Sequence, residues 1–142
     1  MDAAAKKTIL RLFPYGLYAV TVAHGDERNA FTANWLSQAA FEPPMVMVAV
    51  ENDGKSIELI RASGVFTVNV FAAGQRELAG QLGRSFARNP NKLDGVAHHL
   101  GANGCPILDA GLGFLECRVT GEMPAGDHTV FVGEITEAGV LR

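Results

Sequence analysis

The longest uninterrupted apolar run in the chain, Met45 to Val50, is only six residues and follows a Pro43-Pro44 pair. A run that short and rich in valine does not fill a helix, and it is far below the length needed to span a bilayer, so it reads as an interior strand. Comparable β-prone stretches recur. Leu17–Ala23 closes on Gly25-Asp26, Asn29–Ser37 returns as the second arm of a hairpin, and Val65–Phe71, Phe114–Thr120 and Thr129–Ile135 follow. The last two are joined through Glu122–His128. Helical spacing is confined to short pieces. Ala3–Phe13 ends at Pro14, a helix through Ala62 is capped by Ser56 and broken by Gly64, and Gln75–Leu82 pairs Leu78 with Leu82. Gly83 to Gly113 is irregular, which is long for a compact domain and usual for a functional loop. Strands separated by turns, without repeated strand–helix–strand units, predict a mainly β, antiparallel barrel with a few short helices.

The chain's 142 residues predict one domain, residues 1–142. Its net charge of −3 and its lack of a dense Lys/Arg tract argue against a nucleic-acid or anionic-membrane partner. No apolar segment near the N-terminus reads as a signal peptide, so a cytoplasmic protein is expected. Cys105 and Cys117 are the only cysteines, and no CxxC occurs. No four-thiolate zinc or iron–sulfur site can therefore be built from this chain alone, and both thiols are expected to be buried and inert, with a Cys105–Cys117 disulfide as the alternative.

No GxSxG, HExxH or SxxK motif is present, no GxGxxG follows a strand, and the adjacent His98-His99 pair projects in different directions. Neither a nucleophile nor a metal is indicated, so an enzyme of this sequence would draw its reactivity from a cofactor. Three segments are candidates for holding one. Thr32–Gln38 brings small and amide residues, and hence accessible backbone groups, to a flat polar ligand; a solvated strand is the alternative. Asn52–Ile57 feeds a turn into a helix whose first N–H groups suit a phosphate, with Lys55 and Ser56 adding charge and a hydroxyl; an ordinary serine cap is the alternative. Gly126–Glu134 sets His128 at the entrance of a strand, at a barrel rim or simply exposed.

In order and spacing, TANWLSQAAFEPPMVMVAV, NDGKSIELI with GVFTVNVF, and GDHTVFVGEI resemble the flavin reductase-like FMN-binding split-barrel family, over nearly the whole chain. That resemblance implies a six-stranded antiparallel Greek-key split barrel holding FMN, or in some members FAD, at a homodimer interface. It implies that Thr32, Ala33, Asn34, Trp35, Leu36 and Ser37 line the isoalloxazine and ribityl chain. Asn52, Lys55 and Ser56 would hold the phosphate, and Phe86, Arg88 and Lys92 would lie in a loop closing over the flavin. His128 would position the incoming nicotinamide. The implied activity is hydride transfer from NAD(P)H to flavin, with electrons passed to free flavin, a partner oxygenase or another redox protein. Two further readings stand beside it: an FMN-holding carrier reduced by a protein partner, and a split barrel that has lost flavin. The thiolates of a rubredoxin-type module are missing, so an iron-bearing acceptor is expected to be a separate protein.

Overall fold

The computed structural model describes residues 1–142. The Met45–Val50 run becomes β4 (Met45–Glu51), in which Val46, Val48 and Val50 are buried while the residues between them are more exposed. The other strands are β1 (Tyr18–His24), β2 (Glu27–Ala33), β3 (Leu36–Ala40), β5 (Val65–Val70), β6 (His98–Leu100), β7 (Pro106–Leu108), β8 (Gly113–Ala125) and β9 (His128–Val140). Three helices accompany them: α1 (Ala3–Arg11), α2 (Lys55–Ser63) and α3 (Arg76–Leu82). The fold is mainly β.

Seven strands form one antiparallel sheet in the order β2-β1-β5-β8-β9-β4-β3, while β6 and β7 make a separate small hairpin. Six strands were expected where seven are found. No ladder joins the two edge strands, β2 and β3. Yet only Asn34 and Trp35 separate them in sequence, so Ala33 and Leu36 lie within roughly 11 Å of each other. The sheet must therefore curl until its edges nearly meet. The bond from the Ala49 N–H to the Trp35 carbonyl (3.0 Å) fixes this link against β4.

The curl encloses the main core, in which Val20, Val48, Ile60, Phe66, Val68 and Phe131 are essentially inaccessible to water. Gly133 on β9 is required there, because a Cβ at that position would stand 2.7 Å from the Phe66 ring. A smaller cluster, Ala19, Ala30, Leu82 and Leu108, seats α3 and β7 against β1 and β2.

Several expected boundaries move. The predicted hairpin arm Asn29–Ser37 is two strands, interrupted at Asn34-Trp35. The Glu122–His128 connector is mostly strand: β8 and β9 continue to the Ala125↔His128 pair and turn through Gly126-Asp127. Pro124 is tolerated because this stretch of β8 lies beyond β5 and pairs on one side only. Ser56 does not cap α2. Its N-cap is Gly54, with no side-chain bond, and Ser56 is the second residue of the helix. The helix ends as expected, on Gly64 at φ 73°, where glycine takes the left-handed conformation without a Cβ clash. No helix is long and apolar enough to cross a membrane.

Candidate functional site

A cleft of about 280 Å³ opens where four pieces of the chain converge: the end of β2 with the Asn34-Trp35 link, the end of β4, the start of α2, and the segment after α3. Thr32, Ala33, Asn34, Trp35, Lys55, Ser56, Phe86, Lys92 and His128, all singled out from the sequence, line it together. Leu36 and Ser37 do not. They line an adjoining shallow apolar depression with Tyr15, Met47 and Val130. Asn52 lies behind the wall: its amide donates to the Gly126 carbonyl (3.0 Å) and its Oδ1 accepts from the Thr129 hydroxyl (2.7 Å), which ties the β8–β9 turn to the approach to α2. Arg88 is outside the lining.

The floor of the cleft is rich in unused donors. α2 starts without a side-chain cap, and Gly54, Lys55 and Ser56 face the cavity, so the first N–H groups of that helix open onto it. The N–H groups of Asn34 and Trp35 donate to no backbone carbonyl. Ser56 Oγ accepts from the Asn29 amide (2.9 Å), which leaves its own O–H to donate elsewhere. Asn29 Oδ1 is buried with no partner, although Asn29 is only 4% exposed.

Charge at this floor is more balanced than the sequence suggests. Lys55 is ion-paired with Glu27 and with Glu58 (3.5 Å), and sits 5.8 Å from the centre of the Phe86 ring. The hydrogen bond its ammonium donates to Glu27, ahead of the Coulombic contributions, raises its pKa. Glu51 and Asp53 also line the cleft. The positive end of α2 and its N–H groups, more than free lysine charge, make the floor anion-accepting.

Beside the end of β4, where His128 pairs with Glu51, the His128 ring lies 4.8 Å from the Trp35 ring, centroid to centroid, at 55°. Its Nδ1 meets Asp127 Oδ1 at 2.6 Å, and that bond holds the Asp127 carboxyl below its ordinary pKa. His128 is thereby fixed on one nitrogen, and its side chain is only 17% exposed. The geometry suits packing against a planar ligand.

Two predicted residues turn out to serve the wall. Thr32 Oγ donates to the Ala79 carbonyl of α3 (2.5 Å). Lys92 Nζ donates to the carbonyls of Leu82 (3.0 Å) and Arg84 (2.6 Å), and burial alone lowers its pKa to about 8. Sequence reasoning missed Asn29, Glu51, Asp53, Arg84 and Ser85 as lining residues. Asn29 had a signal: an amide flanked by the β-prone Ala30-Phe31 within a strand. Elsewhere, His98 Nδ1 contacts the Val96 carbonyl (2.7 Å) and His99 Nδ1 contacts Asp109 (2.6 Å), so the two imidazoles serve different partners. Cys105 and Cys117 are free and buried, and burial pushes both thiols up to about 12.

Residues 10–142 match the family model described as flavin reductase like domain. The chain is 34% identical to the high molecular weight rubredoxin of Moorella thermoacetica, over 99% of this chain and 61% of that protein. It is 32% identical to diflavin flavoprotein A 1 of Synechocystis, over 100% of this chain and 25% of that one. The chain thus spans from a quarter to about three fifths of these curated relatives. Among solved structures, the Streptomyces globisporus NADH:FAD oxidoreductase SgcE6, in complex with NAD and FAD fragments, superimposes with a TM-score of 0.88 at 30% identity, covering 98% of this chain and 82% of that one.

Proposed function

Because this chain belongs to the flavin reductase like domain family, we propose that its cleft binds a flavin, FMN in the first instance, and that it acts as an NAD(P)H-dependent flavin reductase. The observation that carries this reading is the uncapped start of α2, which opens onto the same cavity as the unpaired N–H groups of Asn34 and Trp35. An elongated ligand with an anionic tail and a flat, acceptor-rich head answers both sets of donors. When bound, flavin supplies the redox chemistry, taking hydride from NAD(P)H and passing electrons to free flavin, a partner oxygenase or another redox protein.

The chain's own residues bind and orient. The helix start and the Ser56 hydroxyl hold the phosphate, and Asn29, bonded to Ser56, keeps that hydroxyl aimed. The Asn34 and Trp35 N–H groups face the ring and stabilise negative charge on its reduced form. Trp35 and His128 form the rim against which a nicotinamide is placed, and His128 positions it without moving a proton. Leu36 and Ser37, with Tyr15 and Met47, extend this rim as an apolar shelf. Ile9, Leu10, Leu12, Phe13 and Leu17 are all exposed in the same N-terminal region, and α1 buries none of its residues. We take this surface as the seat of a second copy of the chain, giving a homodimer. In this reading the curled sheet, with one edge strand set aside, is the six-stranded Greek-key split barrel. A cytoplasmic setting supplies the reduced nicotinamide.

Anaerobic mixing of the flavin-loaded protein with NADH and then NADPH tests the activity. Rapid loss of the flavin's visible absorbance is expected, and its persistence with both donors overturns the reductase reading. His128→Ala is expected to weaken nicotinamide affinity and slow hydride transfer together; if neither changes, the assigned role is wrong. An FMN-holding carrier reduced by a protein is the second reading, favoured by the match to part of a longer protein named as a rubredoxin. Bleaching by a reduced redox protein but not by nicotinamides would select it.

A further inference from the structure

Lys92 is the one lysine buried almost completely, at 3% exposure. Its ammonium lies between two spaces. On one side is the flavin cleft, to which Arg84, Lys55, Glu51, Asp53 and His128 contribute their charged or titratable groups. On the other is a polar chamber of about 230 Å³ under the loop, where Asp26, Arg28, Asp94 and His98 stand. Its bonds to the Leu82 and Arg84 carbonyls hold the backbone just past α3, and Gln81 returns a bond from its amide to the Lys92 carbonyl (2.9 Å). The clamped stretch, Gly83 to Phe86, is the loop-side wall of the cleft. Carbonyls beyond a helix end have no intrahelical donor, and an ammonium satisfies them more strongly than a neutral amine does.

We propose that Lys92 is a positioning residue rather than a flavin ligand: its ammonium clamps the cleft wall at residues 83–86, and flavin binding is coupled to the protonation of that amine. This rests on the flavin reading of the cleft. The physical reasoning is linkage. The burial that lowers the Lys92 pKa to about 8 leaves the amine partly neutral in mildly alkaline solution. A ligand that requires the ordered wall, and brings a phosphate into the adjoining cavity, favours the charged form. Binding must then raise the pKa and take up a proton. A rise of one pKa unit is a tenfold change in affinity. The sign is opposite for the fold itself. Between the folded pKa of about 8 and the unfolded value of 10.5 the unfolded chain carries more protons at this site, so alkaline pH does not destabilise the fold through Lys92.

The test measures FMN affinity by fluorescence quenching from pH 7 to pH 9.5, together with proton uptake from calorimetry in two buffers of different ionisation enthalpy. The wild-type protein is expected to lose affinity about tenfold over that range and to take up a proton on binding near pH 8.5. Lys92→Met should bind about tenfold more weakly at pH 7, with a flat profile and no uptake from this site. Lys92→Arg, always charged, should retain binding with an equally flat profile. A variant profile that parallels wild type, or a flat wild-type profile, overturns the proposal. NMR titration of the lysine side-chain carbons in the flavin-free protein separates the two readings. Failure to bind FMN at pH 7 defeats the flavin reading alone, whereas a Lys92 amine titrating at an ordinary lysine pKa defeats the clamp whether or not flavin binds.

Discussion

The two walls of the cleft are held by different kinds of bond. The wall made by β2, β4 and the start of α2 belongs to the curled sheet, where β1 pairs with β2 at seven positions and β4 with β9 at another seven. The facing wall, Gly83 to Phe86, has no ladder. Beyond the Gly83 and Arg84 N–H bonds back to the Ala79 (3.0 Å) and Gln81 (3.4 Å) carbonyls, it hangs on individual side chains: Lys92 at the Leu82 and Arg84 carbonyls, with Gln81 holding the Lys92 carbonyl (2.9 Å) in return. A ladder spreads stabilisation over many interchangeable backbone groups, while the second arrangement concentrates it in a few irreplaceable ones. One wall tolerates surface change. The other is tuned, or broken, by single residues.

Substitutions that strike one wall and spare the other sharpen that contrast. Phe131→Ala, in the sheet core, is expected to cost about 3–5 kcal/mol and to lower the stability of both walls together, as read by denaturant unfolding. Asn69→Leu should cost less, about 2–3 kcal/mol. Asn69 is buried on β5, accepts from the Leu108 N–H (2.9 Å) and donates to the Ala19 carbonyl (3.2 Å), which pins β7 to the sheet. Its loss should speed hydrogen exchange in the segment from residue 96 to 112 while the ladder of β4 and β9 stays protected. If both regions exchange alike, the β6–β7 hairpin is not held independently of the sheet.

Smaller effects probe the floor. Ser56→Ala should weaken FMN binding about tenfold, because it removes a hydroxyl bond to a charged phosphate, and should cost about 1–2 kcal/mol of stability, because the buried Asn29 amide loses its acceptor. Thr32→Val should be milder still, about 1 kcal/mol or less, through loss of the bond that ties β2 to the Ala79 carbonyl of α3. Its signature is increased exchange at the end of α3 with unchanged sheet protection.

The same contrast explains what the sequence made legible. β4 and α2 were readable because their burial follows a simple period and Gly64 marks a stop. The cleft's sheet wall followed from the same segments, so Thr32 to Trp35 and Lys55-Ser56 were found. The break between β2 and β3 was not readable, since Phe31 to Leu36 keeps strand-like residues on both sides of Asn34-Trp35. Only the position of β4, a partner remote in sequence, decides that those two residues leave the ladder. Ser56 had the right residue type for a cap but lies two residues too late. The outer half of the β8–β9 hairpin is polar and contains Pro124, so nothing local distinguished it from a loop. Lys92 was placed in the right loop, but its bonds to the Leu82 and Arg84 carbonyls were not readable, because a sequence does not show which backbone carbonyls lack a donor.

A connection of two residues, as short as either hairpin turn in the sheet, also joins its two free margins. Every ladder would survive an extra glycine between Asn34 and Trp35, yet the margins would no longer be kept in step, and a ligand gripping that junction would lose its purchase on both at once. Tolerance of inserted residues should therefore be poorest at this seam and far greater at the exposed Gly25-Asp26 turn, which inverts the usual expectation that neighbouring strands forgive the joint between them.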